Sequence, residues 1–234
     1  MQRKLKVGLL STPDSTTTQA LIRELNAEGV QIDFMVHWKP DFQQNWKRLR
    51  FMLKKQGLLA VIEAVFKGVL AGAIKKISTS TGSKVREYSV SHHNSLQTQE
   101  ILRVEKPDIL LLSTNSIIKK NIFSLARLVT LNAHPAWLPA FRGMGSSHYQ
   151  LKAGFHLAVT VHGVDEGIDS GPIYAREVVE LDLRGGVPEL RRQLFGIQPD
   201  IHRVMARLFR QVIDAFQEER ALPMDCSYEK NELF

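Results

Sequence analysis

The sequence predicts an α/β fold, a mostly parallel sheet flanked by helices, on three observations. The chain opens β-α-β, with an apolar run at Leu5–Leu10, a helical stretch at Thr16–Glu28 closed by Gly29, and a β-rich alternation at Val30–Val36. Ile109–Leu112 is apolar throughout, as a strand covered on both faces must be. Leu128–Leu131 and Leu157–Val164 are further strand-like runs, each leading into a polar or glycine-bearing turn.

The first strand, Leu5–Leu10, is closed by the turn-like Ser11-Thr12-Pro13-Asp14. In the following helix Ala20, Leu21 and Leu25 share a face, and hydroxyls precede it as caps. Asp41–Ile77 is long, basic and helical in composition, with Gly57, Gly68 and Gly72 as breaks, and is expected to be a helical insertion. Val85–Val90 is a short strand, His92-His93-Asn94 a polar turn, and Ser95 the cap of a helix through Glu105. Ile117–Ala126 is expected as a short helix and Ser146–Ala153 as another, ending at Gly154. Leu157–Val164 and Pro172–Val179 are expected to pair as long strands. Val187–Glu219 is one long helix or two broken at Pro199. The division expected is a catalytic domain over 1–185, with its insertion at about 41–77, and a C-terminal helical segment over 186–234 that packs on the core.

Composition bounds the function. With 44% hydrophobic and 24% charged residues the chain has the balance of an ordinary globular protein, and no apolar run is long enough to span a membrane. The single cysteine, Cys226, excludes an internal disulfide and fits a reducing compartment, so the expected location is cytoplasmic. No cysteine spacing suggests a metal, and there is no GxGxxG. The net charge of +7 favours an anionic partner. Lys47, Arg48, Arg50, Lys54, Lys55, Lys67, Lys75 and Lys76 concentrate that charge in the insertion. Three readings of the insertion stay open: a solvated helical face, a phosphate-binding surface, or a helix lying on a membrane.

The chemistry concentrates in two stretches, VTLNAHPAWLPAFRG (Val129–Gly143) and VTVHGVDEGIDSGPI (Val159–Ile173). In an extended segment residues i and i+2 share a side, so Asn132 and His134 face one site near a strand end, where open α/β sheets bind ligands. An amide and an imidazole side by side can donate to an oxygen that gains charge in acyl transfer. A carboxylate can orient the imidazole or take a proton from an attacking amine, and Asp169 is the candidate. Gly167 and Gly171 bracket it and would let backbone approach a ligand closely. The plainer readings are a turn-forming Asn, a hydrogen-bonded core His, and loop charges at Asp165 and Glu166.

Asn132, His134, Pro135, Leu138, Pro139, Phe141, Arg142 and Gly143, followed by His162, Asp169 and Gly171, resemble the motifs of the formyltransferases that use 10-formyltetrahydrofolate. KPDILLLS (Lys106–Ser113) resembles the family's preceding strand. The resemblance covers about Lys106–Glu180 and implies a Rossmann-like formyltransferase fold with Asn132, His134 and Asp169 as the catalytic trio. It implies a supporting role for His162 and a cis peptide before Pro139. It also implies a pteridine cleft between Ser113, Thr114, Asn115, Ser116 and Ile117 on one side and Val164, Asp165, Gly167 and Ile168 on the other.

The acceptor amine is expected near Ser11, His92, His93, Asn94, Arg142 and Tyr149, with Trp137 packing over the site. The family's purine branch carries a glycine-rich phosphate loop, but Ser11–Thr18 has no glycine, which argues against glycinamide ribonucleotide. The methionyl-tRNA branch adds a C-terminal barrel, which Gly186–Phe234 is too short to form, so nucleic acid is not the expected partner. The hydrolase branch adds an N-terminal regulatory domain. What is left is a small amine, with a nucleotide-linked amino sugar as the expected acceptor and a lipid-linked sugar, a membrane surface and a second copy of the chain kept open.

Overall fold

The computed structural model describes residues 3–12, 16–38, 85–179 and 186–224, with side chains omitted at 16 and 186–199. The basic insertion and Cys226 lie outside the described residues, and no described helix is long and apolar enough to cross a membrane. Chain order is β1 (Val7–Ser11), α1 (Thr16–Ala27), β2 (Phe34–Trp38), β3 (Arg86–Val90), α2 (Leu96–Glu105) and β4 (Ile109–Ser113). It continues with α3 (Lys120–Phe123), β5 (Val129–His134), α4 (Ser146–Lys152), β6 (Leu157–Gly163), β7 (Ile173–Val179) and α5 (Gly186–Gln217). One seven-stranded sheet has the order β3-β2-β1-β4-β5-β6-β7. Its first five strands are parallel, while β6 runs antiparallel to both β5 and β7. This is the mostly parallel, Rossmann-like sheet that the sequence predicts.

The sheet is apolar on both faces because helices cover both. On one face Val7, Leu9, Ile109, Leu111, Leu131, Val159 and Val161 pack with Leu21 and Leu25 of α1 and with Ile201, Val204, Leu208 and Phe209 of α5. Burial of each such side chain contributes about 1.5–3 kcal/mol, so α5 is held mainly by this stripe. The helix runs unbroken through Pro199. On the other face Leu10, Phe34, Val36, Leu110 and Leu112 pack with Leu102 of α2 and Ile122 of α3. Gly8 makes room for the Phe34 ring, since a Cβ there would lie 2.4 Å from the ring's Cζ.

Three expected elements have different bounds, each for a local reason. The second strand begins at Phe34 because the Asp33 carboxylate takes the Val7 N–H at 2.7 Å and occupies the ladder position before it. The helix expected over Ile117–Ala126 shrinks to Lys120–Phe123 because Asn94 holds the preceding loop. Its amide donates to the Ile117 carbonyl and accepts the Lys119 N–H, both at 2.8 Å. The fifth strand runs on through His134 because β6 pairs with it there, matching Asn132 to His162 and His134 to Thr160.

Two buried carboxylates brace the amino ends of the central strands. Asp108 accepts from Arg3, Arg127 and the Lys6 N–H. Burial pushes its pKa up, but those donors outweigh it and hold the carboxyl below its usual value. Glu105 is likewise held down against burial by Lys6, Tyr88 and Arg86. Ser95 caps α2 as expected, its hydroxyl accepting the Thr98 N–H at 3.2 Å.

Candidate active site

Beyond the reach of α2 and α3, the second face of the sheet turns polar. Register with Leu112 places Asn132 on this face. His134 follows two residues on, and the antiparallel pairing adds His162 and Thr160. The chain 164–172 folds back over this patch and brings Asp169 to it. The site therefore sits on the sheet face near the end of β5, rather than in a crevice beyond the strand.

Asp169 is the hub. Its Oδ2 accepts the Gly143 N–H at 2.8 Å and lies 3.3 Å from His134 Nδ1. Its Oδ1 lies 3.6 Å from His162 Nε2. Its φ of 47° is left-handed, a conformation that Asp tolerates better than most residues. His134 is buried, and its Nε2–H donates to the Phe141 carbonyl at 2.9 Å, so Nδ1 faces the carboxylate. A carbonyl only accepts, so the 2.8 Å contact from His162 Nδ1 to Gly163 O places the ring proton on Nδ1. His162 Nε2 then accepts from the Asn132 amide at 3.2 Å. Burial pushes the His162 pKa down, which matches this neutral form.

The glycines beside Asp169 serve the chain itself. A Cβ on Gly171 would lie 2.0 Å from the Gly163 carbonyl oxygen, and one on Gly167 would lie 2.0 Å from Ser170 Oγ. They let the loop close on its own atoms, so the close approach expected for a ligand is taken by the chain. Asp165 shapes the same loop, accepting from Gly167 N and Ser170 Oγ.

The loop after β5 is anchored from behind. Thr160 donates to the Ala136 carbonyl at 2.7 Å and accepts the Leu138 N–H at 3.2 Å. Gln150 accepts the Trp137 N–H, and Ser147 donates to the Pro135 carbonyl. The Leu138–Pro139 peptide is cis, as the resemblance implies.

The two segments expected to flank a pteridine are neighbours. Ile118 and Val164 share one apolar cluster, and Lys120 pairs with Glu166 at 3.4 Å. Thr114 Oγ1 contacts Ser116 and Thr12, Ser113 Oγ contacts Thr18, and Asn115 is exposed. Ile117 and Ile168 are 75% and 62% exposed, which leaves an apolar side chain on each segment.

The residues expected around the acceptor separate into two groups. Ser11, His92 and His93 gather at the ends of β1 and β3 with two residues the sequence reading missed, His37 and Trp38. Ser11 Oγ is 2.7 Å from His37 Nδ1, and the Trp38 ring lies 5.4 Å from His92 and 6.0 Å from His93. His93 is fully buried, its Nε2–H donates to the Ser11 carbonyl, and burial drives its pKa down to about 4. His93 and Asn94 are therefore occupied within the fold. Arg142 and Tyr149 are exposed on the other side of β4, on the loop and helix after β5. Parallel register could have found His37, which pairs with Ser11 across β1 and β2. Thr160 was legible as the residue two before His162 on the same strand face. No described group of three or more His, Cys, Asp or Glu is arranged to hold a metal ion.

A polar Asn-His-His-Asp patch on a mostly parallel α/β sheet offers the kind of donors that can stabilise an oxygen gaining charge in acyl transfer. The formyl transferase family profile matches residues 14–194, and the chain belongs to that family. A methionyl-tRNA formyltransferase of Kosmotoga olearia is 29% identical over 165 residues, covering 68% of this chain and 52% of its own length. A phosphoribosylglycinamide formyltransferase of Bacillus subtilis is 32% identical over 84 residues, covering 36% of this chain and 42% of its own. The chain thus matches about half the length of these relatives. An uncharacterised Mycobacterium tuberculosis protein, read as a sugar N-formyltransferase, superposes with a TM-score of 0.54 at 17% identity. That match covers 96% of this chain and 73% of the other, and at this identity it speaks for the fold.

Proposed function

We propose that this chain transfers a formyl group from 10-formyltetrahydrofolate to the primary amine of an amino sugar, nucleotide-linked in the leading reading. The observation that carries the formyl-transfer part is the shared hub: Asp169 touches His134 and lies beside His162, which in turn orients Asn132. The donor supplies an N-formyl carbonyl whose oxygen gains charge when an amine adds to the carbon. Asn132 spends one amide N–H on His162 and has a second to give to that oxygen. Both nitrogens of His134 are engaged, so the ring acts on the oxygen through its charge when Nδ1 is protonated against Asp169. Asp169 Oδ2 is occupied by Gly143, which leaves Oδ1 to take the proton that the amine sheds and to return it to the donor nitrogen as the formyl C–N bond breaks and tetrahydrofolate leaves. Ile117 and Ile168 would receive the donor's ring, with backbone groups of Ser113–Ile117 and Val164–Ile168 around it.

Support for a sugar acceptor is indirect. Ser11–Thr18 offers hydroxyls and a helix N-terminus to a phosphate but has no glycine.

The test is to incubate purified protein with 10-formyltetrahydrofolate and a panel of nucleotide-linked 3-amino and 4-amino sugars, with glycinamide ribonucleotide and methionyl-tRNA included. Formyl transfer to a sugar, lost in Asp169→Asn, supports the proposal. Transfer only to another amine overturns the sugar assignment, and formate release that needs no amine replaces transfer with hydrolysis.

A further inference from the structure

The contact between Arg176 on β7 and Trp137 in the loop after β5 is unused by the chemistry above. The Arg176 guanidinium carbon lies 3.5 Å from the Trp137 ring centroid, and Nη1 donates to the Leu138 carbonyl at 2.5 Å. The indole N–H of Trp137 is buried without a partner, so the residue contributes its ring face rather than its polar edge. A planar guanidinium can lie on a ring and donate in its own plane at once, which an ammonium cannot do.

What this grip holds is the loop that carries the site. Within a few residues of Leu138, the Phe141 carbonyl accepts from His134 Nε2 and the Gly143 N–H donates to Asp169 Oδ2. Thr160 grips the same loop from β6. One short segment is therefore tied to β6 and β7 at its start and to both the imidazole and the carboxylate at its end.

We infer that Arg176 is a positioning residue for formyl transfer: stacked on Trp137 and bonded to Leu138, it keeps the Phe141 carbonyl on His134 and the Gly143 amide on Asp169. The kinetic part rests on the formyl-transfer reading; the structural part does not.

The test therefore has two arms, using the full chain. In the first, the His134 Nε2–H is followed by proton–nitrogen NMR, assigned by its loss in His134→Gln. Its bond to Phe141 predicts slow exchange with water in the wild type and exchange at least tenfold faster in Arg176→Ala. Arg207→Ala is the control, since it removes the β7 ion pair with Glu177 without touching the loop, and it should leave exchange unchanged. Should Arg176→Ala fold poorly, Arg176→Lys and Trp137→Leu replace it and should show the same faster exchange. In the second arm, kcat falls about 10- to 100-fold, as expected when reacting groups are displaced by an ångström or less, while KM for 10-formyltetrahydrofolate stays within threefold. Wild-type exchange rates in folded Arg176 and Trp137 variants overturn the inference, as does a kcat loss that only tracks the loss of folded protein. If the wild type formylates no amine, the exchange arm still decides the positioning role, and the failure belongs to the functional reading alone.

Discussion

His162 Nε2 accepts a hydrogen bond from the Asn132 amide at 3.2 Å while its Nδ1–H is fixed on the Gly163 carbonyl at 2.8 Å. The tautomer of one ring therefore sets which way a neighbouring amide faces. Replacing His162 with Phe should free that amide to turn and lower kcat about 10- to 100-fold, somewhat less than outright loss of an oxyanion donor. His162→Gln, whose carbonyl can accept from Asn132, should recover part of that loss. Steady-state kinetics with a productive acceptor checks this, and equal activity in the Phe and Gln variants would remove the orienting role.

Asp169 carries its carboxylate on a backbone with φ of 47°. Asn accepts that conformation at least as well and can still take the Gly143 N–H. Asp169→Asn should therefore keep its melting temperature within a few degrees while losing at least ~100-fold in turnover, as expected when a general base is removed. A parallel fall in melting temperature and activity would assign the residue to folding alone.

Gly171 and Gly154 should respond differently to alanine. At Gly171 the added Cβ meets the Gly163 carbonyl oxygen at 2.0 Å, so Gly171→Ala should cost about 1–3 kcal/mol and displace the Asp169 loop. At Gly154 the space is open, and only a φ of 84° resists the change, a cost of about 1 kcal/mol with no effect on turnover. Urea denaturation together with turnover separates the two cases.

The histidines and carboxylates predict two separate pH windows of stability. His93, at about 4, and His162 both titrate below the unfolded value near 6.5. Below that value the unfolded chain binds more protons, so their contribution is complete above pH 6.5 and declines as pH falls, for His93 until about pH 4. For His93 the difference amounts to roughly 3 kcal/mol. Asp108 and Glu105 are held below their usual values, so their contribution persists to lower pH and is lost only as pH falls below the ordinary carboxylate range. His93→Gln should flatten the decline between pH 6.5 and 4 and leave the lower one intact. An unchanged slope in that variant would place its origin elsewhere.

Much of this site was legible because strands have period two. That period alone puts Asn132 beside His134, and motif resemblance adds Asp169 and His162. It does not show that β6 returns antiparallel, which places His162 opposite Asn132 and Thr160 opposite His134. Nor does it show that Asn94 and His93, which look like polar loop residues, are bonded to backbone distant in sequence, Asn94 to Ile117 and His93 to Ser11. Arg176 was invisible for the same reason: its partners Trp137 and Leu138 lie almost forty residues earlier, and no local pattern joins them. The helix over Ile117–Ala126 was overextended because composition cannot register a side chain that captures the loop's backbone.

The packing of α5 against α1 and β6 has a consequence for the ribosome. Leu21 and Leu25 are synthesised long before Leu208 and Phe209, which share their apolar cluster. At about 5–20 residues per second the interval is roughly ten to forty seconds. Through that time the first helix lacks the part of its apolar cover that α5 supplies. Chains stalled before α5 should therefore be the ones that aggregate.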